Sequence, residues 1–163
     1  MEAVRTERMV LSRVTSADLE SVHEIHADPA TNRYNPGGPV PDLESSKAML
    51  GLWLDDWRER GLGYWAARRI GEQEVLGFGG LRRTRLGGED VLTLYYCFRP
   101  SAWGQGYAVE LVRAALRVGR PLGTVVAVIR DINTPSRKVA ERAGMREDHA
   151  IIYGGLPSHV YVG

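Results

Sequence analysis

The sequence predicts an α/β (α+β) fold in which four helices pack on a central mixed sheet of about seven strands, twisted and mostly antiparallel. Three strand-like runs between residues 64 and 98 are separated by glycine turns, a pattern typical of an antiparallel meander. A helical run follows and leads into Thr124–Ile129, an apolar run typical of a strand covered on both faces. A right-handed crossover would place this strand parallel to the last strand of the meander.

The first third of the chain predicts one strand and two helices. Met9–Val14 is expected to form the strand, and a helix over about 17–27 follows it. Residues 32–41 are rich in proline and glycine, which predicts a loop. The second helix, over about 42–60, carries apolar residues at helical spacing, including two tryptophans that are expected in the core.

The remaining elements follow from turn residues and apolar runs. Thr134 is expected as the N-cap of the last helix and Pro135 as its first residue, because proline is favoured at that position. The helix is expected to stop at Gly144. The expected strands of the meander and of the C-terminus are Tyr64–Ile70, Val75–Leu81, Val91–Phe98, Arg146–Tyr153 and His159–Val162. No repeat or linker divides the chain, so residues 1–163 predict a single domain.

Composition excludes several classes of protein. The chain has 163 residues and a formal net charge of +1, so no strong overall field attracts nucleic acid or an acidic membrane surface. Cys97 is the single cysteine, which excludes an internal disulfide and suits a reducing compartment. No apolar run reaches membrane-spanning length and no apolar signal core is evident near the N-terminus, so the expected location is the cytoplasm.

The segment Arg99–Ala108 carries the clearest functional signal. It joins a predicted strand to the predicted helix Tyr107–Val118, and it contains Gly104 and Gly106. A glycine turn that opens a helix presents free backbone N–H groups, which together with the helix dipole favour a phosphate or pyrophosphate. The turn lacks the lysine of a nucleoside triphosphate P-loop and the three-glycine spacing of a dinucleotide fold. The alternative is an ordinary strand-to-helix turn.

Two motifs in this order resemble the GNAT acetyltransferase superfamily, and within it the RimJ/RimL-like branch. The first is Trp103-Gly-Gln-Gly-Tyr-Ala108, followed by Glu110. The second is Asn133-Thr-Pro-Ser-Arg-Lys-Val-Ala-Glu-Arg-Ala-Gly-Met145. The resemblance covers nearly the whole chain and implies a GNAT-like sheet in which a bulge in the fourth strand splays it from the parallel fifth.

The resemblance implies acetyl-CoA as the cosubstrate, with its pyrophosphate on the backbone amides of the glycine turn and its pantetheine between the splayed strands. Trp103 departs from the arginine or glutamine usual in the family, and we interpret it as a packing residue beneath the loop. Asn133 and Ser136 are alternatively ordinary helix-start residues. The cofactor-binding residues implied are Tyr96, Cys97, Phe98, Trp103, Gly104, Gln105, Gly106, Tyr107, Ala108, Asn133 and Ser136.

The catalytic candidates are Tyr96, at the backbone N–H region expected to face the thioester carbonyl, and Ser136. Many family members carry a tyrosine acid four residues before the glycine that closes the fourth helix, and this chain has Ala140 there. Ser136 is the nearest replacement. Cys97 has no sequence-evident partner for a nucleophilic role. The candidates for a general base are His23, His26, Tyr95, Tyr96, Glu110 and Tyr153. We interpret Glu110 as a structural acid, because it falls in the first turn of the predicted helix.

The expected activity is transfer of an acetyl group from acetyl-CoA to a primary amine by direct attack. The amine would belong to a protein N-terminus, a small amine or an antibiotic, and Tyr34 and His26 are the expected acceptor-binding residues. The loop 32–41 and the last two strands are expected to build the acceptor pocket. No metal, nucleic acid or membrane partner is expected, and the protein would be a monomer or homodimer. The alternative is a non-catalytic acyl-CoA sensor or interaction module on the same fold.

Overall fold

The computed structural model describes residues 3–163, which form one eight-stranded sheet and four α-helices. The strands are β1 (Val4–Arg5), β2 (Met9–Arg13), β3 (Tyr64–Arg69), β4 (Val75–Leu86), β5 (Glu89–Phe98), β6 (Val125–Arg130), β7 (Arg146–Tyr153) and β8 (Leu156–Val162). The helices are α1 (Leu19–His26), α2 (Leu43–Arg60), α3 (Tyr107–Gly119) and α4 (Thr134–Arg142). The predicted fold class is confirmed, with a two-residue strand, β1, added at the sheet edge.

The strand order is β1-β2-β3-β4-β5-β6-β8-β7, and the described strands pair antiparallel except for β5 and β6. The hairpin between β4 and β5 is longer than expected, and it turns through Gly87 and Gly88, whose φ angles are 58° and 82°. Two successive residues with positive φ form a turn that matches the twist of a hairpin, which explains the glycine pair.

Three helix ends follow from their capping residues. The Asp42 carboxylate accepts a hydrogen bond from the Ser45 N–H at 2.7 Å and begins α2, as predicted. Gly61, with φ of 64°, ends the same helix. The predicted N-cap of α4 is wrong by one residue, because Oδ1 of Asn133 accepts the Ser136 N–H at 3.2 Å and Thr134 is already helical.

The two faces of the sheet carry different helices. Phe78 in β4 packs on the rings of His26 from α1 and Trp53 from α2. The next residue, Gly79, points to the other face, where an added Cβ would lie 3.0 Å from a methyl carbon of Leu111 in α3. The glycine therefore lets α3 approach the sheet closely. No helix within residues 3–163 combines the length and the apolar character needed to cross a bilayer.

The sheet opens between β5 and β6. Their pairing is limited to Leu92 with Val125 and Thr93 with Val126, although β5 continues to Phe98. The expected bulge in this strand is absent, because β4 and β5 pair in constant register from Gly77–Phe98 to Leu86–Glu89. The end of β5 thus diverges from β6 while staying fully paired with β4, and this leaves a gap beside the start of α3 and α4.

Candidate functional site

A groove of about 550 Å³ lies at the gap between β5 and β6. Its walls come from the end of β5, the turn before α3, the first turns of α4 and the segment after α1. It is lined by Ala30, Thr31, Arg33, Tyr34, Tyr96, Cys97, Phe98, Ala102, Trp103, Gly104, Gly106, Tyr107, Ala108, Val109, Asn133, Pro135, Ser136, Val139 and Arg142. The fold therefore brings together nearly all the cofactor residues that the resemblance implied. A second cleft of about 540 Å³, at the opposite end of β5, contains none of them.

The glycine turn forms one wall of this groove. Gly104 and Gly106 have φ angles of 72° and 84°, in the left-handed region where other residues are strained. Helix α3 begins at Tyr107, directly after Gly106, so the unpaired N–H groups of its first turn lie at the groove. The positive end of the helix dipole adds to these donors, and the wall is suited to an anionic group such as a pyrophosphate.

The side chain of Arg8 stabilises the glycine turn through hydrogen bonds. Its Nη1 donates a hydrogen bond to the Gln105 carbonyl at 2.8 Å, and its Nε donates to the Glu110 carboxylate at 2.8 Å. Glu110 also accepts from the Arg8 N–H at 2.7 Å and from the Thr6 hydroxyl. Burial raises the pKa of Glu110, but these hydrogen bonds outweigh burial and leave the pKa below its ordinary value. Glu110 is thus a structural acid and a poor candidate for a base.

Two residues of the turn differ from expectation. Trp103 is 51% exposed at the rim of the groove, and its indole N–H donates to the Phe98 carbonyl at 2.8 Å. The interpretation of Trp103 as a packing residue beneath the loop is therefore wrong. The side chain of Gln105 does not line the groove, because it turns back to donate to the Ser101 carbonyl at 3.0 Å.

The end of β5 presents backbone donors to the gap. The Leu92 N–H points toward β6, where it donates to the Thr124 carbonyl, and the Arg99 N–H points toward β4. Because the N–H direction alternates along a strand, the N–H groups of Tyr96 and Phe98 share the direction of Leu92. Both residues lie beyond the last bridge between β5 and β6, so their N–H groups face the open gap.

The two predicted catalytic residues contact each other. The Tyr96 hydroxyl lies 2.8 Å from Oγ of Ser136 and 3.1 Å from the Ser136 carbonyl. Burial raises the pKa of Tyr96 to about 12, although the Ser136 hydrogen bond opposes the shift. Tyr96 is therefore protonated at neutral pH and available as a donor. Ala140, at the position of the family's usual tyrosine acid, is fully buried and does not line the groove.

Cys97 lines the groove beside Tyr96 and is half-buried. Burial raises the pKa of its thiol, and the field of the Asp28 carboxylate adds to that shift against the hydrogen bonds of Tyr95 and Thr31. The thiol is thus protonated near neutral pH. A protonated thiol is a weak nucleophile, so this environment does not suit a covalent role.

His26 lies on the α1 side of the sheet, not in the groove. Its Nδ1 is 2.8 Å from the Val22 carbonyl, which can only accept, so Nδ1 carries the proton. Burial lowers the pKa of His26, and in the neutral ring Nε2 accepts the hydrogen bond of the Tyr95 hydroxyl at 2.6 Å. The expectation that His26 contacts the acceptor directly is corrected, because the ring is buried and both nitrogens are engaged.

The segment after α1 forms another wall of the groove, and we call it the acceptor wall because the expected acceptor residue Tyr34 lies there. Tyr34 lines the groove as expected, whereas β7 and β8 contribute no lining residue. His23 is bonded to Ser46 at 2.8 Å, and Tyr153 is exposed on β7, so neither is placed as a base for chemistry in the groove. The described residues hold no cluster of three His, Cys, Asp or Glu side chains suited to a metal ion.

Sequence reasoning missed three charged residues at the site: Arg8, Arg33 and Arg142. Arg8 meets Glu110 across 102 positions of sequence, and no local pattern predicts so distant a contact. Arg33 lies within the predicted loop 32–41, next to the expected acceptor residue Tyr34. Arg142 is the last residue of α4 and lies one helical turn beyond Val139. Because residues three apart share a helix face, this spacing was the signal that could have placed Arg142 at the groove.

Comparison with known proteins agrees with this geometry. A family model described as an acetyltransferase (GNAT) domain matches residues 8–146. The uncharacterized protein YkkB of Bacillus subtilis is 32% identical over 117 residues, covering 67% of each chain. An acetyltransferase structure from Agrobacterium tumefaciens is 26% identical and superposes with a TM-score of 0.83, covering 100% of this chain and 94% of that one. The fold is also that of AAC(6')-Ib in complex with paromomycin and acetyl-CoA, at 16% identity, a TM-score of 0.80 and coverage of 96% and 93%.

Proposed function

The chain belongs to the GNAT acetyltransferase family, and on that premise we propose that it transfers an acetyl group from acetyl-CoA to a primary amine by direct attack. The observation that carries the proposal is the gap between β5 and β6, which opens beside the glycine turn at the start of α3. A pantetheine chain laid along the end of β5 would meet the backbone as an added strand, and its pyrophosphate end would lie at the turn.

The residues of the gap suit the two charges that develop during acyl transfer. The Tyr96 N–H, which faces the gap, would donate to the thioester carbonyl oxygen as negative charge builds there. The hydroxyls of Tyr96 and Ser136 form a hydrogen-bonded pair between β5 and α4, and either would donate to the departing sulfur. Acetyl-CoA supplies the activated acyl group, and the chain supplies position and hydrogen bonds.

No general base is assigned among the groove residues, since none of those lining it is Asp, Glu or His. We propose that the amine enters in its neutral form, or loses its proton to water, before it attacks. The high pKa of the Tyr96 hydroxyl keeps that group protonated, so it acts as a donor and not as a base. Asn133, whose Oδ1 caps α4, keeps its amide NH₂ available to a pantetheine carbonyl.

The test is an amine panel with acetyl-CoA, read by release of the free thiol. Amine-dependent thiol release, together with a mass increase of the amine by one acetyl group in place of one proton, is the expected result. Coenzyme A binding by calorimetry without turnover of any amine would instead support the non-catalytic sensor. Failure to bind coenzyme A would contradict both functions.

A further inference from the structure

We infer that the amine acceptor also carries a carboxylate, and that Arg130 and Arg33 bind it on the face of the gap opposite α4. The inference rests on the proposed function, because it names the substrate class of that same site. Its basis is a pair of guanidinium groups that flank Tyr34 and form no ion pair within residues 3–163.

Arg130 is the last residue of β6, and its guanidinium reaches the acceptor wall. Its Nη1 donates to the Tyr34 carbonyl at 2.8 Å. Its Nε is buried and has no hydrogen-bond partner. A buried donor without a partner costs about 1–3 kcal/mol, so a ligand that accepts from this nitrogen would recover that cost. A carboxylate fits, because its two oxygens match the parallel N–H groups of a guanidinium.

Strand alternation fixes which face Arg130 occupies. Ile129 belongs to the main core with Ala140 of α4, whereas Val126 and Val128 pack with Val160 in a separate cluster. Arg130 has the same parity as these two valines, so it points to the face opposite α4. The proposed cofactor contacts of α4 and the glycine turn lie on the other side, and the carboxylate site therefore belongs to the acceptor.

Arg33 supplies the second charge. It lines the groove, its side chain is exposed, and its guanidinium carbon lies 5.5 Å from the centroid of the Tyr34 ring. Contact with an aromatic ring orients the group and leaves its N–H edge free for a ligand. The groove lining contains Arg33 and Arg142 and no acidic residue, so its charge favours an anionic group and opposes a polycation. Arg130 is not part of that lining and meets the groove wall through its hydrogen bond to the Tyr34 carbonyl.

One carboxylate, that of Asp28 in the segment after α1, acts on Cys97 from outside the groove lining and has the sign that suits an amine. Asp28 raises the pKa of Cys97 through its field, and its Oδ1 accepts the Ala30 N–H at 2.8 Å. An acceptor with an amine near Cys97 and a carboxylate toward Arg130 would meet charges of the right sign at both ends. Free amino acids and peptides with an acidic residue near the N-terminus both have this chemistry.

The experiment compares matched acceptors. Each standard amino acid is tested as the free acid and as its α-amide, together with short peptides that have aspartate or alanine at the second position, and with spermidine as a polycation. Amidation lowers the pKa of the amine and raises its neutral fraction, so chemistry alone favours the amide. We expect carboxylate-bearing acceptors to be preferred at least about tenfold in kcat/KM, as a lost charge-assisted contact predicts.

Substitutions of Arg130 and Arg33 test whether these two residues cause the preference for a carboxylate. Arg130→Gln and Arg33→Gln should remove most of the acid-to-amide ratio while the KM for acetyl-CoA stays the same, and Arg130→Lys should restore part of it. Arg117→Gln, on the exposed face of α3, is the matched control and should keep the ratio. Preference for amides or spermidine, or an unchanged ratio in both Arg130→Gln and Arg33→Gln, would overturn the inference.

A binding measurement separates this inference from the proposed function. N-acetyl amino acids and their amides are titrated by calorimetry into the protein with coenzyme A present. Carboxylate-dependent binding that Arg130→Gln abolishes would support the inference even if no amine is turned over. Coenzyme A binding without any preference for the carboxylate form would overturn the inference and leave the proposed function standing.

Discussion

The hydroxyl of Tyr96 lies 2.8 Å from Oγ of Ser136, and this hydrogen bond links the end of β5 to the first turn of α4 across the open part of the sheet. Under the proposed function, a thioester held in the gap would release its sulfur beside this pair. The resemblance leads one to expect a single tyrosine acid at position 140, where this chain has Ala140, and we propose that the Tyr96–Ser136 pair supplies the donors instead.

We expect neither hydroxyl of this pair to be essential alone. Tyr96→Phe and Ser136→Ala should each lower kcat by roughly tenfold, because the remaining hydroxyl can still donate to the sulfur, whereas the double variant should lose about a hundredfold or more. Steady-state kinetics with saturating acetyl-CoA measures the effect. Loss of all activity in Tyr96→Phe alone, with the fold intact by circular dichroism, would identify Tyr96 as a dedicated acid.

Gly106→Val should greatly weaken coenzyme A binding. Gly106 has φ of 84°, and an added Cβ would lie 3.3 Å from Nη2 of Arg8, so the turn would strain and shift its N–H groups. Gly71→Val is the matched control, since Gly71 has φ of 81° in open space away from the groove. Both variants should lose about 1–2 kcal/mol of unfolding free energy. Calorimetry should show weaker binding only for Gly106→Val, and equal binding would place the pyrophosphate elsewhere.

Substitutions of Asn133 can separate capping from cofactor contact. Asn133→Ala should lose about 1 kcal/mol of stability and raise the KM for acetyl-CoA, because it removes both the cap and the amide NH₂. Asn133→Ser should restore the stability, since serine also caps helices, but not the KM. Thermal unfolding and kinetics measured on the same samples test this. Full recovery of both values in Asn133→Ser would show that Asn133 is a cap alone.

Cys97→Ala should keep most of its activity. The thiol of Cys97 is protonated near neutral pH because burial raises its pKa, so direct attack by the amine is expected. Two-substrate kinetics should show intersecting lines, and mass spectrometry of the protein mixed with acetyl-CoA should show no acetylated Cys97. A ping-pong pattern, or a trapped thioester on Cys97, would instead establish an acyl-enzyme.

The free energy of unfolding should fall as the pH decreases below 6.5, the ordinary pKa of histidine, and His26 should account for part of that fall. Burial lowers the pKa of His26 in the folded protein, so the unfolded chain takes up a proton first and is stabilised by it. The contribution approaches about 1.4 kcal/mol per pH unit until the folded protein is also protonated. Denaturant titrations should show a flatter pH dependence for His26→Gln than for the unchanged protein, and equal slopes would exclude His26 as a contributor.

Local signals in the sequence were sufficient for most of the fold. The caps at Asp42 and Gly61, the glycine pair of the β4–β5 hairpin and the apolar run of β6 each depend on neighbouring residues, and each was located correctly. The cap of α4 was placed one residue late, at Thr134, because asparagine and threonine are both good caps and only the backbone geometry decides between them.

The site was predictable where it depends on the backbone and less so where it depends on distant contacts. The glycine turn lies beside the end of β5 because it follows that strand directly in the sequence. The crossover rule predicted the parallel neighbour of β5, and the resemblance implied that the two strands splay apart. The expectation for His26 is wrong because a helical histidine can face the core or a ligand, and its partner Tyr95 is 69 positions away. The contact of Arg130 with Tyr34 spans 96 positions and had no local signal.

Because β5 and β6 pair over only two residues each, the sheet consists of two parts joined by a short stretch of pairing. Five strands lie on one side of this junction and three on the other. A ligand chain that lies in the gap and contacts both β5 and β6 would extend the connection between the two parts of the sheet. Binding should therefore reduce motion of one part against the other, and not only within the groove. Hydrogen exchange would then slow in β6 and β8 as well as in β5, and the protein would resist mechanical unfolding at higher force with coenzyme A bound.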